Sequence, residues 1–462
     1  MSQYDFASLG LNAALVDNLA SLGYTEMTPV QAQGLPPILA NKDVIAKAKT
    51  GSGKTATFAL GLLNKLQVKR FRVQTLVLCP TRELADQVSV EIRKLARGIH
   101  NIKVLTLCGG MAFGPQVGSL EHGAHIIVGT PGRVEEHLRK ANLKLDNLTT
   151  LVLDEADRML DMGFQEALDN IISYMPDERQ TLLFSATYPP KIDKIAQRIM
   201  RSPVTVEVQD RHSNQSIVQT LYQVDSDDSR IEAVRLLLQA HQPETTLIFC
   251  NTKIETDQVA NELRAVGYEA LALHGDLEQK QRDQTLVRFS NRSASVLVAT
   301  DVAARGLDID ALDLVINYQV ARELEVHTHR IGRTGRAGAQ GIACTLHTQK
   351  ENHKIGLLED YLKQKLERDD LPPLALLRQP AFYPPMVTIQ IGGGKKQKVR
   401  AGDIVGALTG EGGIPGSEIG KIQVGDQWAY VAVAQEHGKV AFNRLSEGKI
   451  KGRKFKVRRL RG

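Results

Sequence analysis

Val44-Ile45-Ala46-Lys47-Ala48-Lys49-Thr50-Gly51-Ser52-Gly53-Lys54-Thr55 is the stretch on which the reading of this chain turns. A short apolar run enters a glycine-rich turn and a helix-forming stretch follows, the order of a phosphate-binding loop. Gly51 and Gly53 let backbone N–H groups converge on phosphate oxygens, Lys54 neutralises the β- and γ-phosphates, and the Thr55 hydroxyl is suited to ligate Mg²⁺. Ala48 stands where the general pattern has glycine, so the loop entry must keep a negative φ. Ala48, Lys49, Thr50, Gly51, Ser52, Gly53, Lys54 and Thr55 are therefore the candidate nucleotide-binding residues.

Working outward, other apolar runs end in small or polar clusters. Thr75–Cys79 leads into Pro80-Thr81-Arg82-Glu83, His125–Val128 into Gly129-Thr130-Pro131-Gly132-Arg133, and Leu182–Phe184 into Ser185-Ala186-Thr187. Continuous apolar strands separated by helical pattern imply an α/β fold with a parallel sheet covered on both faces, whose ligands bind at the carboxyl ends of the strands. At one such end, Asp154-Glu155-Ala156-Asp157 follows Leu151-Val152-Leu153. Asp154 is placed to hold Mg²⁺ and Glu155 to deprotonate an attacking water, so the two motifs together imply nucleoside triphosphate hydrolysis.

The rhythm restarts at Thr246–Cys250 and Ser295–Ala299, after a polar stretch without period. The expected organisation is a first domain over 1–208, a linker over 209–216, a second α/β domain over 217–362, a linker over 363–382, and a small module over 383–462. In that module strand candidates at 386–391, 419–424, 429–434 and 454–460 and helix candidates at 401–409 and 438–447 give the order β-α-β-β-α-β of ferredoxin-like and RNA-recognition-motif folds.

The 462 residues are 42% hydrophobic and 24% charged, which excludes disorder and collagen and leaves a soluble globular chain. No apolar stretch is long enough to cross a membrane, and the first residues lack the order of a signal peptide, so a cytoplasmic location is expected. Four scattered cysteines, Cys79, Cys108, Cys250 and Cys344, encode neither a disulfide frame nor a zinc site and read as buried apolar residues. From Pro380 onward there are 15 Lys and Arg against 6 Asp and Glu, a net of +9; the remainder carries 43 against 46, a net of −3. A basic terminal module on a near-neutral body suits a polyanion such as nucleic acid, although a solvated basic face would have the same composition.

The motifs together resemble those of a DEAD-box RNA helicase. Beside the two nucleotide motifs stand Pro80-Thr81-Arg82-Glu83-Leu84-Ala85, Gly109-Gly110, Thr130-Pro131-Gly132-Arg133, Ser185-Ala186-Thr187, Ala299–Asp308 and His329-Arg330-Ile331-Gly332-Arg333-Thr334-Gly335-Arg336, in the family's order over about residues 6 to 340. The family's phosphate loop opens with Ala, as Ala48 does. Tandem RecA-like domains and ATP with Mg²⁺ follow from the resemblance. Gly23–Gln31 resembles the adenine-reading motif, with Gln31 on the base edge and Tyr24 on the ring. Phe6 is expected to pack behind that segment, and Glu26 stands where the family often has Arg.

The resemblance also implies arginine fingers at Arg333 and Arg336, which join Lys54 and Glu155 as catalytic residues, and sugar contacts at Gly306 and Asp308. It implies RNA-backbone contacts at Pro80, Thr81, Arg82, Gly110, Thr130, Pro131 and Arg133 in the first domain and at Thr252, Gln279, Arg282 and Thr300 in the second. Ser185, Thr187 and His329 would couple the two sites.

The terminal module resembles the RNA-recognition-like domain of the DbpA-type subfamily, on Arg400–Gly410 and Ile419-Gly420-Lys421-Ile422. Period two over 428–433 sets Trp428 and Tyr430 on one face, where they would stack on bases, and Ala429, Val431 and Val433 on the other. The basic Lys449, Lys451, Arg453 and Lys454 are further RNA candidates. The resemblance implies an ATP-dependent RNA helicase directed to 23S ribosomal RNA during large-subunit assembly, with no obligate protein partner. The alternatives are a general mRNA-remodelling helicase and an ATP-switched RNA clamp whose tail binds without specificity.

Overall fold

The computed structural model describes residues 4–48, 51–188, 190–208, 217–304, 312–335 and 340–460. The linker expected over 209–216 and five site residues (Lys49, Thr50, Gly306, Asp308 and Arg336) lie outside the described residues. Two compact units divide the chain near residue 210.

The first unit is built on β1 (Val44–Lys47), β2 (Thr75–Leu78), β3 (Val104–Leu107), β4 (Ile126–Gly129), β5 (Thr150–Asp154), β6 (Gln180–Ser185) and β7 (Val204–Glu207). Their order is β3-β4-β2-β5-β6-β1-β7, and every neighbouring pair is parallel. Successive side chains of a strand point to opposite faces, and helices cover both. Val44, Ala46, Val77, Val128, Val152 and Leu182 enter one core with Phe58, Leu63, Val88 and Ile92, while Ile45, Leu76, Leu78, Ile127, Leu151 and Leu183 enter another with Val134, Leu138, Met159 and Ile195. Burial on both faces is why these strands read as unbroken apolar runs.

The second unit repeats the plan with β8 (Ile217–Val224), β9 (Thr246–Cys250), β10 (Ala270–Leu273), β11 (Val296–Thr300), β12 (Leu314–Asn317), β13 (Gly341–Thr348) and β14 (Glu367–Asp369). The order is β10-β11-β9-β12-β13-β8-β14, again parallel throughout. The structure corrects the linker expected over 363–382. β14 pairs with β8, Ala381 and Phe382 pack on the core of the second sheet, and the Phe382 ring meets Tyr268 edge-on with centroids 5.4 Å apart. The Gln239 amide also donates to the Pro380 carbonyl at 3.0 Å. β14 is three exposed charged residues and the apolar anchors are widely spaced, so neither shows as a periodic element.

Four antiparallel strands complete the second unit: β15 (Met386–Ile391), β16 (Ile419–Val424), β17 (Ala429–Ala434) and β18 (Val457–Leu460), in the order β16-β17-β15-β18. Both expected helices form, Ala401–Thr409 and Gly438–Glu447. They bury Ile404, Leu408, Ala441 and Leu445 against Val387, Ile389, Val431 and Val433. β18 starts three residues later than expected, because Lys451 and Gly452 both take positive φ in a tight turn that the Ile450–Arg453 bridge closes.

The other face of this small sheet, with Thr388, Gln390 and Tyr430, is also buried. Ser293 Oγ and Thr388 Oγ1 lie 2.6 Å apart, the Asn291 amide donates to Thr388 at 3.1 Å, and the Met386 N–H donates to the Arg292 carbonyl at 3.3 Å. The Gln279–Ser290 helix and the turn after it thus form part of this module's seat. A chain ending at residue 384 should therefore lower the thermal unfolding midpoint of the second sheet less than one ending at residue 366, because β14 and the Phe382 anchor are lost only from the shorter chain. Scanning calorimetry of the two truncations checks this.

Candidate nucleotide and RNA sites

The strand order of the first sheet sorts its carboxyl-end loops into two halves. β3, β4 and β2 are neighbours, and they lead into Gly109-Gly110, Thr130-Pro131-Arg133 and Pro80-Thr81-Arg82. β5, β6 and β1 are also neighbours, and they lead into Asp154–Asp157, Ser185–Thr187 and the phosphate loop. One half gathers the RNA candidates and the other the nucleotide candidates.

In the nucleotide half, Ala48 keeps a negative φ while its N–H donates to the Ser185 carbonyl at 3.0 Å. Gly51 and Gly53 have φ of 84° and 96°. A Cβ on Gly53 would lie 2.8 Å from both Gln31 Nε2 and Thr28 Oγ1. Gln31 accepts from the Thr28 N–H at 2.8 Å and donates to the Gly53 carbonyl at 3.4 Å, bracing the adenine-reading segment against the loop. Phe6 is buried and meets Tyr24 edge-on at 6.4 Å. The Tyr24 hydroxyl donates to Glu91 at 2.6 Å and Lys94 stands over its ring, so Tyr24 is fixed to the Arg82–Leu95 helix. Burial and the Glu91 carboxylate push the Tyr24 phenol far above its ordinary value.

Among the described residues, two buried charges here have no hydrogen-bond partner: Lys54 Nζ and Asp154 Oδ1. Burial pushes the Asp154 carboxyl up to about 7, with the Lys54 ammonium pulling down and Glu155 pushing further up. Unsatisfied buried ions are costly, and this pair is complementary to a phosphate and a cation held side by side. Thr55, in the first turn of the Lys54–Lys65 helix, adds a hydroxyl to the hard oxygen donors of the site.

Glu155 caps the Ala156–Asp161 helix in the left-handed region at φ 53° and is ion-paired to Arg158, both side chains being buried. Asp157 accepts from the Thr187 N–H at 2.9 Å and from the Thr187 hydroxyl at 2.7 Å, and the Ser185 hydroxyl donates to the Thr187 carbonyl at 2.5 Å. Burial alone would raise the Asp157 carboxyl, but the Thr187 hydrogen bonds and Arg158 hold it below the ordinary range. The structure thus gives Asp157 and Arg158 partners that the motif alone did not reveal.

In the RNA half, Arg82 donates to the Gly109 carbonyl at 2.6 Å, and a Cβ on Gly110, at φ 71°, would lie 1.8 Å from Arg82 Nη1. Thr81 caps the Arg82–Leu95 helix by accepting from the Leu84 N–H, and Pro131 opens the Pro131–Arg139 helix. Helix N-termini present unpaired N–H groups to anions. Arg133 donates to the Met111 carbonyl at 3.1 Å.

The second sheet repeats the division. Of three neighbouring strands, β10 precedes Gln279 and Arg282, β11 ends at Thr300, and β9 precedes Thr252. Thr252 caps its helix, and Arg282 donates to the Ala303 carbonyl at 3.0 Å. His329 and Arg333 line a small recess with Asp301 and Phe249. The fully buried Arg330 fixes that region through Asp301, at 2.6 and 2.8 Å, and Asn251, at 2.8 Å.

Lys449, Lys451, Arg453 and Lys454 are all exposed around a turn anchored by buried Ile450. Trp428 is 36% exposed beside Lys280, but Tyr430 is only 6% exposed, beside Gln284 and Asp283. The expectation that Tyr430 stacks on a base is not met in this arrangement, because a helix from the second sheet lies over it. The strand's own period gave no sign of that cover.

Two parallel sheets with phosphate, carboxylate and arginine loops at their carboxyl ends define a tandem RecA-like ATPase. The family model "DEAD/DEAH box helicase" matches residues 28–195, "Helicase conserved C-terminal domain" matches 229–338, and "DbpA RNA binding domain" matches 388–459. The ATP-dependent RNA helicase DbpA of Escherichia coli is 52% identical over 451 residues, 98% of each chain. The DEAD-box helicase CshA of Geobacillus kaustophilus is 42% identical over 80% of this chain and 79% of its own. Among solved structures, S. cerevisiae Dbp5 bound to RNA and ADP BeF3 is similar with a TM-score of 0.72 at 28% identity, over 79% of this chain and 96% of that one. The chain belongs to the DEAD-box ATP-dependent RNA helicases, in their DbpA-type subfamily.

Gly53→Ala should abolish the rise in unfolding midpoint that Mg²⁺–ATP produces, because the added methyl displaces Gln31 at a position where φ already disfavours it. Thermal melts with and without nucleotide check this; an undiminished shift would dissociate the brace from ATP binding.

Proposed function

We propose that this helicase acts on 23S ribosomal RNA in precursors of the large ribosomal subunit, with the C-terminal domain selecting the RNA and the two sheet domains separating nearby strands. The reading is carried by the C-terminal domain. It holds the chain's excess positive charge, exposes Lys449, Lys451, Arg453 and Lys454 on one turn, and resembles a domain type directed to ribosomal RNA. A soluble cytoplasmic setting belongs to the same proposal; among the described residues no helix is long and apolar enough to cross a membrane.

In this proposal Thr55 and Asp154 hold Mg²⁺, which neutralises phosphate charge when bound. Lys54 and the loop N–H groups bind the phosphates, and Gln31 and Tyr24 serve the adenine. Glu155, held by Arg158, takes the proton of the attacking water. Arg333 and Arg336 supply guanidinium charge to the transferring phosphoryl group, with Gly306 and Asp308 at the sugar. The Thr187–Asp157 bonds are the route by which RNA bound at one half of the sheet reaches the other, with His329 as the second domain's share. Contacts from Pro80, Thr81, Arg82, Gly110, Thr130, Pro131, Arg133, Thr252, Gln279, Arg282 and Thr300 go to the RNA backbone and carry little base information, so selection falls to the C-terminal domain.

The test is ATP turnover as a function of RNA concentration, with a 23S ribosomal RNA fragment and with random RNA of equal length, for the full chain and for one ending at residue 384. The full chain should respond to the ribosomal fragment at lower concentration, and the truncated chain should respond to both alike. Equal responses from the full chain would favour a general remodelling helicase, and turnover without strand displacement would favour an ATP-switched clamp.

A further inference from the structure

Gln116 lies on the Phe113–Glu121 helix after β3, belongs to none of the motifs, and is only 8% exposed. Its amide makes three hydrogen bonds. Nε2 donates to the Cys108 carbonyl at 3.0 Å, while Oε1 accepts from Arg133 Nη1 at 3.0 Å and from His137 Nε2 at 2.9 Å. The Arg133 guanidinium only donates, so the amide oxygen must face it, and the His137 nitrogen on the same oxygen must carry a proton. Burial and the Arg133 charge lower the pKa of His137, and its ring stacks on Phe113 with centroids 4.3 Å apart and planes 9° apart. The amide therefore has a single orientation, set by both helices.

These bonds join two loops that meet nowhere in sequence. Cys108 precedes Gly109-Gly110 after β3, and Arg133 stands in the first turn of the helix after β4; Arg133 also reaches the Met111 carbonyl, on the far side of Gly110. We propose that Gln116 is a positioning residue for RNA, fixing the Arg133 guanidinium relative to the Gly109–Met111 loop so that both meet one backbone at a set separation. The inference rests on the reading of Arg133 and Gly110 as RNA contacts. A guanidinium released from Gln116 keeps the Met111 carbonyl, Glu136, at 3.2 Å, and the face of Phe113, and without the amide can shift among them. It then loses rotamer freedom only when RNA arrives, which weakens binding without touching the ATP loops.

The experiment is a double-mutant cycle on RNA-stimulated ATP turnover, using single-stranded RNA and the full chain. Gln116→Met keeps the volume and removes all three bonds. It should raise the RNA concentration for half-maximal stimulation about tenfold, with kcat at saturating RNA and KM for ATP unchanged. In an Arg133→Ala background the same substitution should add less than about twofold, since the two residues act as one unit. Gln116→Asn, one methylene short, should show the same loss and the same non-additivity, and carries the test if the methionine variant does not fold. The inference is overturned if Arg133→Ala weakens the RNA response and the Gln116 variants do not, or if their loss persists in full without Arg133. An Arg133→Ala chain with a normal RNA response would instead overturn the reading of Arg133 on which the inference stands.

Discussion

An ammonium and a carboxylate, Lys54 Nζ and Asp154 Oδ1, are buried in the first domain without hydrogen-bond partners among the described residues. Such groups destabilise a fold by about 1–3 kcal/mol each or more, so their placement has to be imposed by the surrounding structure. The parallel sheet imposes it. Lys54 opens a helix behind a loop that only Gly51 and Gly53 can form, and Asp154 ends a strand buried on both faces. Phosphate and a divalent cation would satisfy both groups at once.

In the proposed function the same sheet order lets one site sense another. β5 and β6 stand between the RNA-side trio and β1, and the loops after them are tied by the Asp157–Thr187 bonds. The Asp157 carboxylate is buried, where hydrogen bonds are electrostatically stronger than in water. The second sheet repeats the division, with Thr252, Gln279, Arg282 and Thr300 at or beyond the carboxyl ends of three neighbouring strands and the arginine-bearing segment after the next. In the proposed function each domain thus sets a strip of backbone-binding loops beside a strip of phosphate chemistry.

The sequence was most legible where burial on both faces wrote a continuous apolar signal, as in Thr75–Leu78 or Leu151–Leu153, and where glycine was required, as at Gly51 and Gly53. The described phosphate and metal candidates of the first domain share that signal, because each stands at or near a strand end. Interactions between segments distant in the chain were not. Nothing around Tyr430 shows that Gln284 and Asp283 lie over it, and nothing around Gln116 announces Arg133 and His137 as partners. β14 escaped because three charged residues at a sheet edge carry no hydrophobic period, although Phe382 beyond it is anchored on the core.

The central claim is that the Thr187–Asp157 bonds connect RNA binding to ATP hydrolysis. Thr187→Val preserves the shape of the side chain and removes the hydroxyl donor, leaving the Asp157 carboxylate with the backbone N–H groups of Thr187 and Arg158. The decisive quantity is the ratio of ATP turnover at saturating RNA to turnover without RNA, measured beside the separate affinities for ATP and RNA. The account predicts a ratio that falls several-fold while both affinities stay near those of the unaltered chain. An unchanged ratio would contradict it and place the coupling elsewhere in the domain.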